Sequence, residues 1–126
     1  MKRILLQDKS LSLSALDSYR DIVQGDLAPL IFEMDITHCL AKPPSPIDTY
    51  QLIITYPHTA DAYKCCIQSI EKATKAGIPV ILIYGEYSIT DKIHAIAQDL
   101  NLETKLSEMG TRRQVYAMCI RKYLTD

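Results

Sequence analysis

Asp8, His58 and Glu86 are side chains whose types suit metal or acid–base chemistry, and each closely follows a short apolar run. Two carboxylates and an imidazole could hold a divalent cation. His58 with Glu86 or Asp8 could also form a general acid–base pair, given hydrogen-bond reach. Tyr56 and Tyr84 stand at the same run ends and add phenols. Polar residues end strands in most folds, however, so these types alone do not make a metal centre. The expectation is no metal and no cofactor. No phosphate cradle is encoded either: the chain has four glycines and carries neither G-x-G-x-x-G nor G-x-x-x-x-G-K-S/T. Helix starts at Ser10, Thr59 and Ser88 could hold an anion through backbone donors, but that property is generic. A cysteine nucleophile after the first run is absent, because that position reads Gln7-Asp8-Lys9. Cys39, Cys65, Cys66 and Cys119 form no C-x-x-C pair, and adjacent Cys65 and Cys66 are poorly spaced to share one zinc. They read as reduced thiols of a reducing compartment.

Five apolar runs must supply the elements that bring these residues together. The strand candidates are Arg3–Gln7, Ala28–Met34, Tyr50–Thr55, Ile78–Tyr84 and Leu102–Leu106. The third and fourth are nearly continuously apolar and β-branched, as central strands covered on both faces must be. Leu102–Leu106 is more polar, which suits an edge. Between the strands lie helical stripes. Leu13, Leu16, Tyr19 and Val23 follow Ser10 or Ser12 and precede Gly25, a stop signal. Ala62, Cys66, Ile70 and Ala73 lie between Thr59 and Ala76, closed by Gly77. Ile89, Ile93, Ile96 and Leu100 follow Ser88, which with Asp91 resembles a capping box. A last helix follows Gly110, with Thr111 and Gln114 as a capping box and Val115, Met118, Cys119 and Tyr123 as its buried stripe. The Pro-rich stretch Thr37–Asp48 allows a turn or two of helix at most, over Asp35–Lys42. Alternation of strands and helices predicts an α/β domain with a parallel sheet. Ligands of such sheets bind outside the carboxyl ends of the strands. Asp8, Tyr56, His58, Tyr84, Glu86 and Lys105 should therefore share one rim.

Composition narrows the function classes. The chain reads as one domain spanning residues 1–126. Its 14 basic residues balance 15 acidic ones for a net charge of −1, unlike a general nucleic-acid binder. No apolar run reaches the roughly 18 residues of a membrane span. The start, Met1-Lys2-Arg3-Ile4-Leu5-Leu6-Gln7-Asp8, is interrupted by Asp8 too early for a signal peptide, so a cytoplasmic chain is expected. Arg112, Arg113, Arg121 and Lys122 make the last helix basic, which suits a solvated face or a protein partner better than nucleic acid.

The order and spacing of these parts resemble the response-regulator receiver domain over the whole chain. That resemblance implies a flavodoxin-like, doubly wound α/β fold with a five-stranded parallel sheet of order 2-1-3-4-5. Arg3-Ile4-Leu5-Leu6-Gln7-Asp8-Lys9 looks like the family's first strand and acidic pair, with Lys9 in place of one acid. Asp48-Thr49-Tyr50-Gln51-Leu52-Ile53-Ile54-Thr55-Tyr56-Pro57 looks like the third strand, with Tyr56 at the phospho-acceptor position. Gly77-Ile78-Pro79-Val80-Ile81-Leu82-Ile83-Tyr84-Gly85 looks like the fourth, with Tyr84 at the switch hydroxyl position. Lys105 falls where the family keeps a lysine, followed here by Leu106 rather than proline.

Receiver phosphorylation needs a carboxylate nucleophile and acids that hold Mg²⁺. With Tyr56 and Lys9 at those positions, the expectation is a stand-alone pseudo-receiver acting in bacterial signal transduction by protein–protein contact. The family's usual contact face, its fourth helix, fifth strand and fifth helix, maps here to Tyr87, Lys92, Lys105, Arg112, Arg113, Tyr116 and Arg121. A homodimer could form through the same face. Two alternatives remain: a small flavodoxin-like enzyme or ligand-binding protein using Asp8, Tyr56, His58, Tyr84 and Glu86, and a structural subunit of a larger assembly.

Overall fold

Successive residues of a strand point to opposite faces, so a strand buried on both sides must be apolar throughout. β1 (Arg3–Asp8) and β3 (Leu52–Tyr56) meet that requirement over Ile4-Leu5-Leu6 and Leu52-Ile53-Ile54, and turn polar toward their carboxyl ends at Gln7, Asp8 and Thr55. Ile4, Leu6, Leu52 and Ile54 point to one face, and Leu5 and Ile53 to the other. The computed structural model describes residues 1–58, 60–85, 90–107 and 111–125, with the side chains of 60–63 and 90–93 outside the described set. Five parallel strands form one sheet of order β2-β1-β3-β4-β5, completed by β2 (Glu33–Thr37), β4 (Val80–Gly85) and β5 (Glu103–Ser107). The α/β flavodoxin-like architecture expected from the sequence is therefore present.

Helices cover both faces. α1 (Leu16–Asp26) and α4 (Arg112–Thr125) pack on the face of Ile4, Leu6, Ile54 and Ile83. α2 (Ala60–Lys75) covers Leu5, Ile53 and Val80 on the other face through Cys66, Ile70 and Ala73. α3 (Thr90–Leu100) sets Ala97 against Leu82. Gly77, at φ 78°, takes the left-handed conformation that stops α2, and Asn101, at φ 55°, does the same after α3. Gly25 is no stop: α1 runs through it to Asp26. The helix-start readings at Thr59 and at Ser88 with Asp91, and Gly110, fall outside the described residues or side chains.

The second strand corrects the sequence reading. It is Glu33–Thr37, not Ala28–Met34. The run Leu30-Ile31-Phe32 misleads because β2 is an edge strand and needs only one apolar face. Its Met34 and Ile36 enter the core, while Glu33 and Asp35 form ion pairs with Arg3 at 3.3 and 3.1 Å. Ile31 is 77% exposed. Consequently no helix forms over Asp35–Lys42. The link to β3 holds one short 3-10 turn, Ile47–Thr49. Leu40, Ile47 and Tyr50 from this segment fill the space against α2. The Tyr50 hydroxyl donates to Asp35 (2.7 Å), and the Ser69 hydroxyl donates to the Leu40 carbonyl (2.9 Å).

Candidate functional site

The register places Asp8 beside Tyr56, each the last residue of its strand, at the carboxyl edge of the sheet. Asp8 is completely buried. A buried carboxylate costs several kcal/mol, on the order of the penalties for other desolvated ions, unless donors surround it. Here they do. Oδ1 accepts from the Ser10 backbone N–H at 2.9 Å and from the Ser10 hydroxyl at 2.6 Å. Oδ2 accepts from the Tyr116 hydroxyl at 2.7 Å. Arg112 Nε stands 2.9 Å from the same oxygen. That contact is an ion pair and not an aligned hydrogen bond, since the buried Nε has no hydrogen-bond acceptor.

Arg112 also lies over the Tyr56 ring, 4.7 Å from its centroid. The Tyr56 hydroxyl and His58 Nδ1 share a 2.9 Å hydrogen bond. His58 holds a left-handed backbone (φ 71°), a strained state of order 1–3 kcal/mol for a non-glycine residue, and its side chain is exposed. Asp8, Ser10, Tyr56, His58, Arg112 and Tyr116 thus form one connected constellation. Behind it, Thr55 donates to Gln7 Oε1 (2.5 Å), and Gln7 Nε2 donates to the His38 carbonyl (3.0 Å). This second chain ties β3, β1 and the loop after β2 together.

The electrostatics follow from burial. Burial pushes the Tyr116 phenol well above its ordinary value, and the Asp8 charge adds to the rise. Burial likewise raises Tyr19, whose ring meets Tyr116 edge-on at 6.3 Å. For Arg112 burial is the largest single influence and opposes the charge, but Asp8 together with Tyr116, Tyr56 and Tyr19 outweighs it, and the guanidinium is held more firmly protonated. Arg112 and Arg113 sit at the positive end of the α4 dipole, an unfavourable place for cations. Each is offset by its own carboxylate: Asp8 for Arg112, and Asp26 at the end of α1 for Arg113, through paired 2.6 Å hydrogen bonds from Nε and Nη2.

The structure brings Asp8, Tyr56 and His58 together, as the rim argument requires. Tyr84 does not join them; its ring turns to His94 of α3, edge-on at 5.3 Å. Glu86 and Tyr87 lie outside the described residues, as does the Lys92 side chain. The expected partner face is divided. Tyr116 is fully buried against Asp8 and cannot form part of a surface. Arg112 is half-buried against the same carboxylate. Arg113 and Arg121 lean toward Asp26 on the α1 flank. Lys105 lies on β5, paired with Glu103 at 3.4 Å. The reason is helical phase: the buried stripe of α4 runs through Tyr116, Cys119 and Ile120, so Met118, expected inside, is 67% exposed. The sequence reading missed Arg112 and Tyr116 as partners of Asp8. Two arginines opening a helix were the available signal, because they call for carboxylates nearby.

Among the described residues no three His, Cys, Asp or Glu side chains group as metal ligands, and no helix is long and apolar enough to cross a membrane. No protein-family model matches the chain, and no curated protein matches it. Solved structures do. A CheY-like response regulator receiver domain protein from Methanospirillum hungatei superposes with a TM-score of 0.66 at 19% identity, covering 99% of this chain and 94% of that one. A response regulator receiver protein from Pseudoalteromonas atlantica gives 0.61 at 18% identity, covering 98% and 97%. A flavodoxin variant from Pseudomonas aeruginosa gives 0.56 at 11% identity over the full length of both chains. At such identities the likeness speaks for the fold. The chain has the flavodoxin-like α/β fold, in a form that matches CheY-like receiver domains.

Proposed function

We propose that this receiver-like domain is an interaction module that works by protein contact without phosphoryl transfer. The observation that carries this reading is the closure around Asp8. In the receiver resemblance that carboxylate would hold a metal ion. Here its two oxygens are engaged by Ser10, Tyr116 and the Arg112 guanidinium. The strand tip beside it, where a receiver would present its acceptor aspartate, is Tyr56. A tyrosine ring under a guanidinium supplies no carboxylate nucleophile for an acyl phosphate.

The contact surface we favour is the outer flank of β5 and α4. It carries exposed Leu106 (44%) and Met118 (67%) with Lys105 alongside. A second copy of the chain or a different protein could cover it. Incubation with acetyl phosphate and Mg²⁺, followed by intact-mass measurement, tests the chemical half of the proposal. An unchanged mass is expected, and a stable gain of one phosphoryl group would overturn it. Sedimentation and pull-down with Met118→Asp and Leu106→Asp test the contact half. Loss of self-association or of a captured partner is expected, and wild-type behaviour of both variants would sink the surface assignment.

A further inference from the structure

A groove of about 460 Å³ opens between β5 and α4, at the amino-terminal side of the sheet. Its origin is the register of β5. Glu103 and Lys105 pair with Ile81 and Ile83, so they face the same side of the sheet as α4. Two charged residues there cannot be buried under a helix at low cost. α4 therefore packs Tyr116, Cys119 and Ile120 into the core with Ile54, Ile81 and Ile83, and touches β5 without closing over Glu103 and Lys105. The space left has an apolar floor and walls, including Leu52, Ile81, Leu102, Val115 and Cys119. One wall is Tyr123, fixed by a 2.8 Å hydrogen bond from its hydroxyl to the Gln51 carbonyl.

The charges around the groove are unequal. Lys105, Lys122 and Glu103 line it, and Glu103 pairs with Lys105 at 3.4 Å. Lys122 has no ion pair among the described residues, so the lining carries a net positive charge. A preformed apolar cavity within the roughly 300–1,000 Å³ of small-molecule sites, with one surplus cation, suits a particular chemistry.

We propose that this groove binds a small amphipathic anion, an aliphatic chain ending in a carboxylate, with the chain against Leu52, Ile81 and Val115 and the head group at Lys122. This site goes beyond the contact reading and needs no partner protein. The groove opens beside Leu106 and Met118, so an occupant would also alter the proposed contact flank.

The test is calorimetric titration of the full chain with octanoate, decanoate and decyltrimethylammonium below their micellar concentrations. Saturable one-to-one binding of decanoate is expected, about fourfold tighter per added methylene, as burial of each CH₂ implies. Decyltrimethylammonium should bind more weakly. Lys122→Glu should weaken decanoate at least about tenfold and reverse the preference for the anion. Lys122→Gln, a neutral variant of an exposed position, gives the same reading by a smaller loss should the glutamate variant fold poorly. Absence of saturable binding, equal affinity for anion and cation, or an affinity indifferent to both Lys122 substitutions would each overturn the proposal. Amide shifts on decanoate addition locate the site independently: movement at Leu102, Val115 and Cys119 supports it, and movement elsewhere alone refutes it. None of these outcomes depends on phosphorylation or on capture of a partner, so the two proposals fail separately.

Discussion

The Tyr116 hydroxyl donates a 2.7 Å hydrogen bond to Asp8 Oδ2, joining α4 to the tip of β1 across 108 positions of sequence. With Arg112 on the same oxygen and Ser10 on the other, the last helix is latched to the first strand at the edge where this fold places its ligands.

Asp8→Ala should destabilise the domain by about 2–4 kcal/mol. Breaking a buried ion pair leaves the surviving charge unpaired, and partial exposure of Arg112 moderates the cost. Urea unfolding measures it. In a double-mutant cycle the Arg112→Gln and Asp8→Ala effects should be non-additive, since the groups touch. Additive losses would remove the latch from the account.

Tyr116→Phe should cost about 1–3 kcal/mol, because it strips one donor from a buried carboxylate and adds no charge. The same hydroxyl makes stability fall in alkali. Its folded pKa is raised well above the ordinary value of 10.0, so the unfolded chain releases the proton first. The contribution is whole below that ordinary value and is lost as pH climbs past it. Unfolding midpoints from pH 8 to 11 should drop more steeply for wild type than for Tyr116→Phe.

The opposite sign holds at Asp26. Hydrogen bonds from Arg113 lower its pKa below the ordinary 3.8, so the folded state keeps the carboxylate charged where the unfolded state would protonate it. The stabilisation is present above that value and lost as pH falls through the lowered one. Asp26→Asn should thus cost stability at pH 6, and the cost should shrink as pH falls below 3.8. A pH-independent difference in unfolding midpoint would argue against this pair. The effect should be small, and smaller in salt, because the pair is exposed.

Neighbouring cysteines should differ sharply in reactivity. Cys65 is exposed on α2, whereas Cys66 is buried and burial pushes its thiol up to about 11. At pH 8 a thiol reagent should modify Cys65 readily and reach Cys66 only after denaturation. Peptide mapping of alkylated native protein checks this. Equal labelling of the two would contradict the packing of Cys66 against Ile70 and Leu40.

Much of the fold was legible because it rests on local periodicity. The nearly continuous apolar runs of β3 and β4 announce strands covered on both faces, and the Cys66, Ile70 and Ala73 stripe announces α2. β2 was misread because an edge strand needs only alternate apolar residues, and its polar Asp35 looked like a boundary until Arg3 and Tyr50 were seen to satisfy it. On α4, Cys119 is buried and Val115 and Tyr123 pack against the core as expected, but Met118 is exposed and Tyr116 is buried in its stead. A tyrosine and an arginine read as surface residues until a buried carboxylate stands opposite them.

The α/β class, the approximate strand and helix segments, and the place of Asp8, Tyr56 and His58 at strand ends can all be read along the chain, because hydrophobic period and turn chemistry act over a few neighbouring residues. The engagement of Asp8 by Tyr116 and Arg112, the pairing of Arg113 with Asp26, and the groove between α4 and β5 emerge in three dimensions alone. Those outcomes depend on strand register and helix rotation, which are set by packing between segments distant along the chain.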